Sequence, residues 1–338
     1  MQDVLAEYGF SESSCSVRPL GNGLINTTWL IEWGRKKYVL QKINHHIFRT
    51  PGDIAFNIRS LAGYLKKNDP GYLFVAPLHT LSGEDLVKKD AGYFRLLPFI
   101  ENSHTIDVVE NPEQAYEAAK QFGRFSKLLS GFDASELKIT LPDFHNLTLR
   151  YRQFENALQN GNKERIKQST DLISFIGQQK DIADEFEFCK TKLKIRCTHH
   201  DTKISNVLFD KNNKGLCVID LDTVMPGYFI SDVGDMMRTY LSPVSEEEKD
   251  LSKIKVRKEF YDAIEDGYLS EMGEELSEAE KKYFHYAGKF MIYMQAIRFL
   301  TDHINDDIYY GAKYEGHNFI RAGNQITLLK RLIEINPG

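Results

Sequence analysis

At 338 residues, 42% hydrophobic and 27% charged, the chain has the balance of a globular protein and enough length for two compact parts. A formal net charge of −5 argues against nucleic acid or an anionic membrane as the main partner, since both reward a basic field. Cys15, Cys189, Cys197 and Cys217 lack close spacing, which fits reduced thiols, and an acidic amino terminus with no membrane-length apolar run anywhere predicts a cytoplasmic protein.

In chain order, the first distinctive segment is Gly21-Asn22-Gly23-Leu24-Ile25-Asn26-Thr27-Thr28. Gly-rich and followed by a strand pattern, it fits a hairpin whose backbone N–H groups, through Gly21, Asn22, Gly23, Asn26 and Thr27, cover phosphates; a plain tight turn explains the same residues. Residues 29–33, 37–43 and 93–99 are rich in β-branched, aromatic and aliphatic side chains and read as strands. Lys42 ends the second of these, the place from which a lysine reaches nucleotide phosphates. Between them, Ile54, Ile58, Leu61 and Leu65 are spaced for an amphipathic helix over 53–67, a segment without a single glutamate.

Helical patterns dominate after residue 105. Pro112 opens one that closes at Gly131, and the capping box Ser277-Glu278-Ala279-Glu280 opens a long one through Leu300. Ser245-Glu246-Glu247-Glu248 reads as another helix start. The exception is a hairpin, residues 206–210 and 215–219 around the turn Lys211-Asn212-Asn213-Lys214.

That hairpin carries the chemistry on its flanks. Before it runs His199-His200-Asp201-Thr202-Lys203-Ile204-Ser205-Asn206, in which Asp201 can accept a hydroxyl proton and the Asn206 amide can ligate magnesium. A polar loop capped by Asp and Asn is the bland alternative. After it, Asp220 emerges from Cys217-Val218-Ile219, where a buried carboxylate calls for a metal partner. Strand alternation sends Asp222 to the same side, as a second metal contact or merely to orient a neighbour. A metal-binding Asp-x-Asp of a glycosyltransferase is weighed against by the loop upstream. Transition-metal ligation by the adjacent histidines lacks further ligands at the right spacing. Together these elements fit phosphoryl transfer from magnesium-ATP.

The loop 199–206, the Ile219-Asp220-Leu221-Asp222 strand end and the Gly-rich hairpin with Lys42 resemble the aminoglycoside phosphotransferase and choline kinase superfamily. Within it the chain is most similar to the N-acetylhexosamine 1-kinase family, through Tyr38 to Asn44, Leu141 to His145, Val218 to Gly227, Asp232-Val233-Gly234-Asp235, Arg298 to Asp302, His317-Asn318 and Arg321-Ala322. The resemblance implies an α+β, protein-kinase-like two-lobe fold: a small, mainly antiparallel β nucleotide-binding lobe over residues 1–100 and a large, mainly α-helical lobe over 101–338. It implies ATP- and magnesium-dependent phosphorylation of the anomeric hydroxyl of N-acetylglucosamine or N-acetylgalactosamine. Asp201 would be the catalytic base and Asn206 and Asp220 the magnesium ligands, with Asp222 the further metal contact that alternation permits. Backbone near Leu97 to Ile100, Phe99 included, would hold adenine, and Asp232 would steady the catalytic loop. His145, Asp222, Arg238, Arg298 and Asn318 are the candidates for sugar recognition, with Tyr309 and Tyr310 as a possible wall. Rival readings are a kinase of choline, homoserine, methylthioribose or an aminoglycoside on the same fold, and a nucleotide-binding regulator without turnover. One departure from kinase pattern stands out: the 53–67 helix has no glutamate to pair with the strand lysine, so either Asp53 or a helix amino terminus supports Lys42, or phosphate positioning relies more on the hairpin and metal.

Overall fold

The computed structural model describes residues 1–10, 15–21 and 25–335, and the chain within them divides into two compact units. The first holds residues 1–104 and adds two later segments, 131–142 and 208–226. The second holds 105–130, 143–207 and 227 onward. A division at residue 100 thus falls close to the first crossing, but the chain returns twice to the first unit, once through residues 131–142 and once through the hairpin and the segment after it.

In the first unit, strands β1 (Cys15–Pro19), β2 (Thr27–Trp33), β3 (Lys36–Ile43), β4 (Val87–Lys89) and β5 (Gly92–Pro98) form an antiparallel sheet ordered β1-β2-β3-β5-β4. Its register decides the two faces. Opposed residues share a face and successive residues alternate, so Trp29, Leu40 and Leu96 lie on one side while Thr28, Gln41 and Arg95 lie on the other. The first face is closed by Val4 and Leu5 of helix α1 (Gln2–Ala6) with Phe10, packed on Ile31, Leu40, Phe94 and Leu96. Helix α2 (Pro51–Asn68) starts on Pro51 and buries Ile54, Ile58, Leu61 and Leu65, the spacing read from the sequence.

The second unit is built of α3 (Pro112–Leu128), α4 (Leu147–Asn160), α5 (Lys163–Gln168), α6 (Thr170–Gln178), α7 (Asp181–Cys189), α8 (Phe229–Tyr240), α9 (Lys258–Met272), α10 (Glu278–Lys281), α11 (Phe284–Ile304) and α12 (His317–Ile335). Ser277 and Glu280 do form a capping box, but they cap only α10, and the chain turns again before α11. No helix starts at Ser245. There Glu246 is drawn to Arg238 and Arg321, and Ser245 Oγ accepts from the Glu247 N–H in a local turn. Glycines let helices touch: a Cβ on Gly234 of α8 would strike the Ala287 carbonyl of α11. Among the described residues no helix is long and apolar enough to cross a membrane.

Candidate active site

The loop 199–206 follows a fully buried strand, Arg196–Thr198, and its backbone is held by one face of α8. Asp232 accepts from the His199 and His200 N–H groups at 3.0 and 2.7 Å, and Asp235, one turn on, accepts from the Thr202 N–H at 2.9 Å. Thr202 Oγ1 donates to the Asp232 carbonyl and the Tyr240 hydroxyl donates to the Thr202 carbonyl. Burial pushes the Asp232 carboxyl up to about 7 against those two backbone donors. His200 takes the left-handed conformation, φ 67°, which bends the loop just before Asp201.

Asp201 is held by its own loop. Lys203 Nζ lies 2.9 Å from Oδ1, and Asn206 Nδ2 donates to Oδ2 at 3.1 Å and to the Asp201 carbonyl at 2.9 Å. Burial raises the carboxyl, but Lys203, His199 and Asn206 outweigh it and hold Asp201 below the ordinary carboxylate range. Because the Asn206 amide nitrogen is committed to Asp201, its carbonyl oxygen is oriented and receives no hydrogen bond among the described residues. An oxygen left in that state suits a hard cation such as magnesium. Lys203 was not singled out in the sequence, although it stands two residues from Asp201, where an ion pair across the loop is short enough to form.

Around the loop, the same unit gathers aromatic and basic side chains. His145 stacks on Phe144 at 4.3 Å and meets the His200 ring at 5.2 Å. Burial keeps both imidazoles neutral: His145 falls well below its ordinary range and His200 to about 3. The Arg298 guanidinium lies 5.8, 5.9 and 5.4 Å from the rings of Phe144, Tyr309 and Tyr310, and its hydrogen bond goes to Gln295. Arg150, pushed down by burial and by Arg298, donates to the Asp143 carbonyl and to Gln153. Among the described residues neither arginine has an ion-pair partner.

The other recognition candidates are spent. Arg238 pairs with Asp235 at 2.9 Å and with Glu246 at 2.8 Å, and Arg321 takes the other Glu246 oxygen, so Arg238 buttresses the loop through Asp235. Asn318 is fully buried, donates to Asp302, Asp307 and the Gly311 carbonyl, and accepts from Arg321. It braces the turn in which Asp302 accepts from the Tyr309 and Tyr310 N–H groups, and leaves no group for a ligand.

In the first unit, Asp220 is also left-handed, φ 58° and ψ 60°, and opens a 3₁₀ turn, Leu221–Thr223. The strand alternation expected through Asp222 therefore fails. Asp222 is 2% exposed, with Oδ1 2.5 Å from Arg95 Nη1 and Oδ2 accepting from Asn26 Nδ2 at 2.8 Å. Oδ2 is taken by Asn26, and Oδ1 stands against the Arg95 guanidinium as an ion pair without an aligned hydrogen bond, so of the readings left open for Asp222, neighbour orientation is the one its contacts match. Asn26 is spent too, its Oδ1 accepting from the Asn44 N–H. Lys42 stands opposite Phe94 and Thr27 on the face closed by α1, away from Arg95. Among the described residues no ion pair holds it. The strand position was read correctly as an end, but the register, which sequence alone does not reveal, turns Lys42 outward and brings Gln41 and Arg95 inward. Leu97 shares the inner face with Val39 and Leu30, and Phe99 lies under Lys37 Nζ at 5.4 Å. Gly21 has φ 69° and open space around it; Asn22 and Gly23 lie outside the described residues.

Residues 16–277, more than three quarters of the chain, match the phosphotransferase enzyme family, APH. The chain belongs to that family. Its fold is similar to an aminoglycoside phosphotransferase from Alicyclobacillus acidocaldarius, TM-score 0.67 at 12% identity, over 99% of this chain and 96% of that one. A microcompartment-associated aminopropanol kinase gives 0.65 at 17% identity over 99% and 97%, and choline kinase from Cryptosporidium parvum 0.57 at 13% over 96% and 92%. This phosphotransferase therefore has the kinase-like two-lobe fold, an antiparallel-sheet lobe and a helical lobe.

Proposed function

We propose that this phosphotransferase moves the γ-phosphoryl group of ATP to the anomeric hydroxyl of an N-acetylhexosamine. Asp201 accepts the hydroxyl proton; the sugar oxygen bonds to the γ-phosphorus as the bond to the bridging oxygen breaks, leaving ADP and the sugar 1-phosphate. Asn206 and Asp220 would hold magnesium, which supplies charge neutralisation for the phosphates. Structures of two similar kinases are ADP complexes, which supports ATP as donor.

The observation that carries the acceptor is the charge state of the cluster beside the catalytic loop. Its neutral His145 and His200, and its Arg298 and Arg150, which have no ion-pair partner among the described residues, offer donors and ring faces. The nearby carboxylates are engaged, Asp235 and Glu246 by Arg238 and Asp302 by the 309–310 turn. A cationic amino alcohol would meet two arginines there, and the carboxylates in reach, Asp201 beside Lys203 and Asp143 beside Arg150, already stand against basic groups, whereas a neutral ring bearing hydroxyls and an amide carbonyl finds donors and aromatic faces.

The test is incubation with magnesium-ATP and N-acetylglucosamine, N-acetylgalactosamine, choline, ethanolamine or homoserine, followed by phosphorus NMR. An acid-labile anomeric phosphate from a hexosamine is expected. Phosphorylation of an amino alcohol with no sugar product would overturn the reading.

A further inference from the structure

The segment that carries Asp220 is fixed from two directions within the first unit. Arg95, on β5, donates from Nε and Nη2 to Gln41 Oε1 at 2.9 and 2.8 Å, and Gln41 in turn reaches Thr28 Oγ1 across to β2. With its strand-side donors so placed, the third arm of the guanidinium meets Asp222, whose second oxygen is taken by Asn26. Asn57 of α2, with no solvent exposure, donates to the Val224 and Lys138 carbonyls at 3.0 and 2.8 Å and accepts from the Lys138 N–H. The four residues after Asp220 are thereby tied to the sheet at one point and to α2 at another.

Stability alone is a poor account of this arrangement. Arg95 and Asp222 have side chains 3% and 2% exposed, and a buried ion pair returns little net stability over apolar residues of the same volume. What such a pair does supply is position. Asp220 holds a left-handed backbone, a conformation that persists in a residue other than glycine when its surroundings over-determine it. The anchors at Asp222, inside the turn that follows, and at Val224, just after it, fix that turn. Meanwhile the ordinary kinase device is missing twice over, since α2 has no glutamate and Lys42 faces α1.

We infer that Arg95 and Asp222 are the positioning pair of this enzyme, setting the Asp220 carboxylate toward magnesium-nucleotide in place of a strand lysine and helix glutamate. Arg95 acts through Asp222 and touches no reacting atom. The inference rests on the proposed use of magnesium-ATP, and its test separates the two.

Calorimetry would give the dissociation constant of ADP with and without magnesium for the native chain and for Arg95→Lys, Asp222→Asn and Gln41→Ala, each with a thermal melt. In the native chain magnesium tightens ADP; if it does not, the magnesium-nucleotide reading itself falls. In Arg95→Lys and Asp222→Asn the magnesium-dependent gain shrinks by about tenfold, the size of an outer-shell loss, while metal-free ADP binds as before and the acceptor KM holds. A folded Arg95→Lys or Asp222→Asn that keeps the full magnesium gain overturns the pair. Should both variants fail to fold, Gln41→Ala, at a half-buried position, decides: a reduced gain supports the pair and an unchanged gain overturns it.

Discussion

Asp201 keeps its negative charge because an ammonium and an amide stand against it, and this has a direct consequence for pH dependence. A base must be deprotonated, and a carboxyl held below its ordinary 3.8 stays so further into acid. Single-turnover rates of phosphoryl transfer should therefore show no acid limb from Asp201 above about pH 4. Lys203→Met removes the counter-charge while burial remains, so the limb should move to higher pH; a limb that stays put would sink the role given to Lys203. Asp201→Asn should cost about 10²–10⁴-fold in turnover, the usual range for a lost general base, with nucleotide affinity kept. At this scale Asp201, Asn206 and Asp220, the proposed base and magnesium ligands, are candidates that the sequence could offer, since each sits in a short local pattern. It could not reveal that Asp222, Asn26, Arg238 and Asn318 are consumed by partners, because those partners lie between 3 and 196 positions away.

Helices here do more than fill a core. One face of α8 presents Asp232, Asp235 and Tyr240 to successive groups of the loop 199–206, so loop shape depends on where α8 lies. That depth is set by bare backbone contact, as at Gly234 against α11. The pair α3 and α9 meets the same way: a Cβ on Gly267 would strike the Tyr116 carbonyl, and one on Gly123 would come 2.8 Å from the Tyr268 carbonyl. Gly267→Ala should destabilise the chain by about 1–3 kcal/mol, the cost of forcing packed helices apart, read from urea denaturation with turnover per folded molecule unchanged. An unshifted midpoint would mean that the helices separate freely. Periodicity found most of these elements, and α2 and α3 lie within three residues of their expected bounds. It erred at Ser245, where Glu246 answers to two arginines elsewhere in the chain rather than to a helix of its own.

On the scale of the whole chain, the family match and the two-lobe fold place the protein among phosphotransferases, and ligand linkage follows from that. Magnesium-ADP at a hundred times its dissociation constant should stabilise the native state by about 2.7 kcal/mol in calorimetric unfolding, as any ligand does that binds only the folded chain. Asp220→Ala should abolish the magnesium-dependent part of that gain. An equal gain in the variant would remove Asp220 from the metal site.

By itself the sequence determined the reaction type. Asp201, Asn206 and Asp220 sit on a loop and a strand end that local spacing identifies, and chemistry carried by neighbours along the chain is legible in order of residues. Strand register, by contrast, is a property of pairs of strands, and a shift of one residue exchanges the two faces of the sheet. Only the tertiary structure could decide that Lys42 lies on the sheet face that α1 covers while Arg95, unremarkable in sequence, lies on the other face and pairs with Asp222.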